Sequence, residues 1–127
     1  MERDAPFNKR ADGARNEEIA LRYLLDLGYS LVKRNFRFGR MGEIDLIMRD
    51  QGFYVFVEVK SRHSHGFGLP EEAVTPSKRR QIRKVAGGFI HINGLVQYEA
   101  RFDVVAIDYV TGANGEPEIR HYVNAFY

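Results

Sequence analysis

Cysteine is absent from this 127-residue chain, which excludes disulfide bridges, a thiol nucleophile and thiolate zinc sites. The four histidines fall in no metal-binding spacing, so any metal must be held mainly by oxygen. No segment approaches the roughly 18 uninterrupted apolar residues that a membrane-spanning helix needs. The charged opening MERDAPFNKRADGAR lacks the apolar centre of a secretory signal. A cytoplasmic protein with no membrane contact is therefore expected. Internal repeats, low-complexity tracts and Pro/Gly/Ser linkers are missing too, and a chain of this length makes one domain able to bury its own core. Residues 1–12 read as a solvated, flexible tail and residues 13–127 as that domain. Nor is there a large excess of charge of one sign: a net charge of +2 with a pI near 9.0 points only weakly to a polyanionic partner.

What is present is periodic. From Gly13 to Leu27 the spacing predicts a helix stopped at Gly28. Its polar stripe carries Glu18, Arg22 and Asp26, with Glu18 and Arg22 spaced to pair. Glu17 falls instead beside Ala20, Leu21 and Leu24, on the side that must be buried, and a carboxylate there needs a partner. Strands are predicted at Tyr29–Phe38, Ile44–Met48 and Phe53–Lys60, and a second helix follows Thr75 and Pro76. That helix buries Ile82, Val85, Ala86, Phe89 and Ile90. Arg101–Val110 reads as a buried strand and Glu118–Val123 as an edge strand. The order helix, three strands, helix, strand predicts an α/β sandwich with a central mixed sheet, the second helix crossing over to a parallel strand.

The stretch GEIDLIMRDQGFYVFVEVKSR, Gly42 to Arg62, carries the chemistry. A two-residue turn at Gln51–Gly52 sets Asp50 opposite Phe53. Counting outward sets Asp45 opposite Glu58 and Glu43 opposite Lys60, all on one face. Like charges directly opposed repel, and a hard divalent cation such as magnesium, bound by one or two carboxylates, removes the conflict. Glu-x-Lys alone is a weak signal, and charges emerging into water at a strand end are its bland reading. Against that reading, Tyr54 and Phe56 on one face and Val55, Val57 and Val59 on the other make both faces look buried up to the charges.

An Asp, a spacer and Glu-x-Lys on adjoining strands, after a helix with an inward Glu, resembles the PD-(D/E)XK nuclease superfamily. More closely, NEEIALRYL, GEIDLIMRD, FVEVKSR and RFDVVAI, in that order, resemble the small bacterial YraN-type proteins, regarded as endonucleases akin to Holliday-junction resolvases. The likeness spans Gly13 to Ile107 and departs at Asn16, where such proteins usually place glycine. It implies a restriction-endonuclease-like α-β-β-β-α-β fold that hydrolyses phosphodiester bonds of DNA, with branched or structured DNA as candidate substrate. Asp45 and Glu58 would ligate magnesium or manganese, with the Val59 carbonyl as a further ligand. Lys60 would be the catalytic lysine, orienting water or stabilising charge, and Glu17 the helix acid that completes the site. An ion pair with an arginine is the structural alternative for Glu17, and an ion pair orienting Lys60 is the reading for Glu43. Asp103 reads as a turn or strand-end hydrogen-bond acceptor. A two-fold homodimer would suit the cutting of two symmetric strands.

Between Pro76 and Ala86 lie Lys78, Arg79, Arg80, Arg83 and Lys84 with no acid among them. Arg80, Arg83 and Lys84 point away from the apolar stripe, as a solvated face would, but Lys78 shares it with Ile82 and Val85. Cations in a first helical turn oppose the helix dipole, which a bound phosphate would relieve. With Arg62, the residues Lys78, Arg79 and Arg83 are therefore candidates for binding a nucleic-acid backbone. His63 and His65 read as exposed loop histidines. The competing readings are a non-catalytic nucleic-acid-binding domain of the same fold and a protein-interaction module.

Overall fold

The computed structural model describes residues 7–66 and 68–127. Its elements are α1 (Lys9–Asp26), β1 (Ser30–Arg37), β2 (Glu43–Asp50), β3 (Phe53–Arg62), a single 3₁₀ turn (Pro70–Ala73), α2 (Pro76–Ile92), β4 (Glu99–Ala113) and β5 (Glu116–Phe126). The strands form one sheet in the order β1-β2-β3-β4-β5. Only β3 and β4 run parallel, and the α2 segment is the long crossover that a parallel pair requires. The architecture is α/β, with a five-stranded mixed sheet and a helix on each face. Among the described residues no helix is long and apolar enough to cross a membrane.

Each helix buries its apolar stripe on its own side of the sheet. Ala20, Leu21 and Leu24 of α1 pack on Leu46, Met48, Val55, Val57, Val105 and Ile107. Ile82, Val85, Ala86 and Phe89 of α2 pack on Ile47, Phe56 and Val104, and Phe89 meets Phe36, Tyr54 and Phe56 edge to face. Alternation along β3 thus sends Val55, Val57 and Val59 to α1 and Tyr54 and Phe56 to α2, as a strand covered on both faces must.

The elements differ from the sequence reading by one to four residues at most ends, and the larger departures are at the start of α1 and around the last hairpin. α1 starts at Lys9, capped by the Asn8 side chain, which accepts from Ala11 N at 3.0 Å. Residues 9–12, assigned to the flexible tail, are helical, because a capping asparagine can start a helix in a stretch that lacks apolar periodicity. Residues 1–6 of that tail lie outside the described residues. The last two strands are also longer than predicted, joined through Asn114–Gly115 at φ of 56° and 78°, the left-handed conformation of a tight hairpin turn. The expected Gln51–Gly52 turn has the same form, with φ of 47° and 88°.

Away from the chemistry, acids are buried as acceptors. Asp103, fully buried in the body of β4, accepts from Arg101 Nε at 3.1 Å and Asn124 N at 3.0 Å, and meets His121 Nε2 at 2.7 Å. Its expected role as an acceptor holds, although it sits within the strand rather than at its end. Burial pushes its carboxyl up, but His121, the Asn124 N–H and Arg101 together outweigh burial and hold it low. A second chain of alternating charge ties the 3₁₀ turn to the sheet. Arg62 donates to Asp108 at 2.9 Å, Arg120 donates to the other Asp108 oxygen at 2.9 Å, and both Glu71 oxygens accept from Arg120 at 2.8 Å. The Arg120 hydrogen bonds lower the Glu71 carboxyl to about 2.

A carboxyl depressed by folding stabilises the protein above its unfolded value, and that stability is lost as pH falls through the folded value. Equilibrium unfolding in urea should therefore show stability declining from about pH 4.5 to about pH 2, the window set by Glu71. Glu71→Gln should be less stable at neutral pH and show a shallower acid decline; an unchanged decline would remove Glu71 from the account.

Candidate active site

The β2–β3 hairpin keeps the counted register from Asp50↔Phe53 to Leu46↔Val57. There the backbone ladder stops, so Asp45 and Glu58 are not a cross-strand ladder pair as the count implied. Asp45 instead turns its own Oδ2 onto the Val59 N–H at 2.8 Å. A side-chain acceptor replaces the lost ladder acceptor, so the N–H is not left unpaired. A residue's N–H and C=O leave the same strand edge, so the Val59 carbonyl faces the same gap. The strict alternation of β2 is broken here as well. Ile44 and Ile47, three residues apart, both pack in the α2-side cluster, while Leu46 packs toward α1.

Glu58 is the most enclosed member of the site, at 4% exposure. Lys60 Nζ lies 3.6 Å and Lys78 Nζ 3.8 Å from the same oxygen, Oε1. The other oxygen, Oε2, is buried with no hydrogen-bond partner among the described residues. Burial and the neighbouring Asp45 push the Glu58 carboxyl up to about 7. Burial also raises Asp45, against the pull of the Val59 N–H, Lys60 and Lys78.

A second pair of acids closes the α1 side. Asn35 has a left-handed φ of 51°, a conformation that asparagine tolerates better than most residues. With its amide oriented so that nitrogen faces the acids, it donates to Glu17 Oε1 at 2.8 Å and Glu43 Oε1 at 2.9 Å. Glu17 is raised to about 7 by burial, then by Asp45 and Glu43. Its partner is thus an amide rather than an arginine. Glu43 pairs with Arg37 at 3.6 Å, while Lys60 is given to Glu58; the expected Glu43–Lys60 ion pair is not formed, because Glu43 lies with Asn35 and Glu17 instead.

The residues expected to bind nucleic acid separate. Lys78 joins the acids, as its place on the apolar stripe of α2 allows. Arg62 is largely buried against Asp108 and also donates to the Gly68 carbonyl at 3.1 Å, so it is a structural partner and offers no free charge to a phosphate. Arg79 donates to the Val74 carbonyl at 3.1 Å and lies over the Phe126 ring. Arg83 is exposed and donates to a main-chain oxygen of Tyr127 at 2.6 Å. His63 is not a free loop histidine either: it stacks on Tyr109 with centroids 4.2 Å apart and meets the buried Asp12 at 2.9 Å.

Sequence reasoning missed Asn35 and the centre on Asn16. Asn16 donates to Asp12 at 3.1 Å and Ser61 at 3.0 Å and accepts from Tyr109 at 2.6 Å. These bonds fix α1, and with it Glu17, against β3 and β4. The signal for both was an asparagine at a position where strand or helix propensity favours other residues.

The donor set fits a hard divalent cation: two enclosed carboxylates, one with an unsatisfied oxygen, and charge that burial leaves in excess. Among the described residues no three acidic or histidine side chains converge as an all-protein cage, and magnesium characteristically uses one or two carboxylates and keeps several waters.

The sequence pattern of the uncharacterised protein family UPF0102 matches residues 16–107, and the chain belongs to this family, the YraN-type proteins. It is 46% identical over 114 residues to a UPF0102 protein of Geobacter sulfurreducens, covering 90% of this chain and 87% of that one. It is also 46% identical to one of Rhodococcus jostii, covering 90% and 94%, and 42% identical over 121 residues to one of Natranaerobius thermophilus, covering 94% and 100%. Among solved structures, Pyrococcus furiosus SfsA in complex with Ca2+ aligns with a TM-score of 0.35 at 13% identity, over 92% of this chain and 64% of that one, a likeness too weak to assign a fold.

A carboxyl raised by folding favours the fold while protonated, so the contribution of Glu17 and Glu58 is full below the ordinary value of 4.5 and is lost as pH rises through about 7. In chelator, the thermal midpoint should fall between about pH 5 and about pH 8. Glu17→Gln, which keeps the shape without the titrating proton, should flatten that fall; an equally steep fall in the variant would show that Glu17 is not under this strain.

Proposed function

We propose that this chain is a metal-dependent endonuclease of the PD-(D/E)XK type, hydrolysing phosphodiester bonds of DNA. The observation that carries this reading is the Glu58 carboxylate, buried at the end of the β2–β3 ladder beside Asp45, with one oxygen between two lysines and the other unpaired. A purely structural ion pair would satisfy both oxygens.

Asp45, Glu58 and the Val59 carbonyl would hold magnesium or manganese. Such an ion activates water and relieves charge on a phosphate. The chain's own groups supply the rest. The Val59 N–H fixes Asp45 through one oxygen and leaves the other free. Lys60, from the strand, and Lys78, from the helix, bring positive charge to one edge of the site, where they can orient a nucleophilic water and stabilise negative charge growing on phosphate oxygens. Glu17, with its raised carboxyl, is able to exchange a proton near neutrality. Asn35 holds Glu17 and Glu43 side by side, where they would otherwise repel.

Single-turnover cleavage of linear, nicked, branched and single-stranded DNA, with RNA alongside, across a magnesium and manganese series tests the proposal. Wild-type protein should cleave at least one of the DNA substrates. Asp45→Asn should abolish cleavage while nucleic-acid binding survives. Lys60→Ala should keep metal binding and lower turnover by about 10² to 10⁴. Wild-type protein that cleaves nothing on the panel, or an Asp45→Asn variant as active as wild type, would end the nuclease reading and leave a non-catalytic nucleic-acid-binding domain in its place.

A further inference from the structure

With Arg62 held by Asp108 and Lys78 drawn into the acid site beside Glu58, the backbone flanking the reacting phosphate needs further cations. Among the described residues, no ion pair takes Arg40, Arg80 or Lys84. All three line one open cleft, together with Met41, Ser77 and Gln81, of about 500 Å³. It lies between the Gly39–Gly42 turn and the outward face of the first turns of α2.

The cleft is held in shape. Gln81 Nε2 donates to the Met41 carbonyl at 2.8 Å. Gly42, at φ 134°, lets the chain press so close that a Cβ there would come 2.5 Å from Gln81 Nε2. Two turns further along α2, Gly88 receives the Phe38 ring, where a Cβ would meet ring carbon at 2.4 Å. These contacts clamp the turn from both ends and keep Arg40 against α2, where Arg80 and Lys84 already stand one helical turn apart. Like charges at that spacing destabilise a helix, and a third cation fixed beside them adds to the cost. A polyanion lying in the cleft removes it.

Position names the polyanion. Gly42 leads directly into Glu43 and Asp45, and Ser77 precedes Lys78, so both walls of the cleft run into the acid site. Met41, 47% exposed, adds an apolar surface suited to a sugar face. We infer that the Arg40–Arg80–Lys84 cleft seats the phosphate–sugar backbone of a nucleic acid next to the phosphate presented to Glu58 and Lys60. The inference rests on the nuclease reading for its orientation, and its binding arm can be measured without catalysis.

The experiment uses the full chain in chelator, with a short fluorescent DNA duplex titrated at several salt concentrations. Arg40→Ala/Arg80→Ala/Lys84→Ala should weaken binding by at least about tenfold at low salt and flatten the log–log salt dependence by about 0.9 for each phosphate no longer neutralised. Lys33→Gln, on the exposed face of β1 and outside the cleft, should stay within about twofold of wild type by the same electrostatic criterion. Circular dichroism checks the fold, and Arg80→Glu alone gives a second reading should the triple variant lose helicity. Unchanged affinity and slope in the folded variants, equal losses in Lys33→Gln, or no binding by wild type would overturn the inference. If the triple variant binds normally while Asp45→Asn stops cleavage, the cleft falls and the nuclease reading stands. If the triple variant loses binding while wild type binds without cleaving, the cleft stands and the nuclease reading falls.

Discussion

The placement of charge around this site follows from one cost, that of enclosing a carboxylate at the end of β3. Glu58 is buried where β2 and β3 part, so it can be neutralised neither by water nor by a ladder partner. Two lysines from different elements converge on one of its oxygens, which requires α2 to cross the sheet face at a fixed height. Asp45 adds a second charge and is anchored by backbone rather than by a cation. The arrangement is compensated on one side only, and the uncompensated side is where chemistry can enter.

Elsewhere on the parallel strand pair, β4 shows what full compensation looks like. Asp108 and Asp103 are as deeply buried as Glu58, yet arginines, backbone N–H groups and a histidine meet their oxygens, and both are held below the ordinary carboxyl range. Within one sheet, buried acids therefore shift in opposite directions according to whether their oxygens are satisfied. That contrast separates the acids that hold the fold from those with spare capacity.

Much of this was legible in the residues. The valine and aromatic alternation of β3 required two covered faces. The Gln51–Gly52 turn placed the acids within reach of one another, and the position of Lys78 on the apolar stripe of α2 showed that it does not face water. Legibility ended where backbone pairing ended. Counting residues assumes an unbroken ladder, and the ladder stops at Leu46↔Val57, so Glu43 could not be followed to Arg37 and Asn35. Arg62 was misplaced for a related reason: its partner Asp108 lies 46 residues away, a separation that no local pattern encodes. The Asn-Gly pair at 114–115 differs from both: it is a strong local hairpin signal that needs no long-range information, and the sequence reading, ending one strand at Val110 and starting the next at Glu118, leaves it unused.

Asn35 has a consequence beyond the acids it bridges. β1 is an open edge of the sheet, nearly all of it exposed, and an exposed, regular edge is a template on which another chain can add a strand and begin to aggregate. The pairing of β1 with β2 slips between Leu31 and Lys33, and Asn35 turns left-handed a few residues later. Lys33, Arg34 and Arg37 carry positive charge along the same segment. The strand is therefore neither flat nor neutral over any length that a second strand could follow. The backbone twist that delivers an amide to Glu17 and Glu43 also makes this edge a poor template for a further strand.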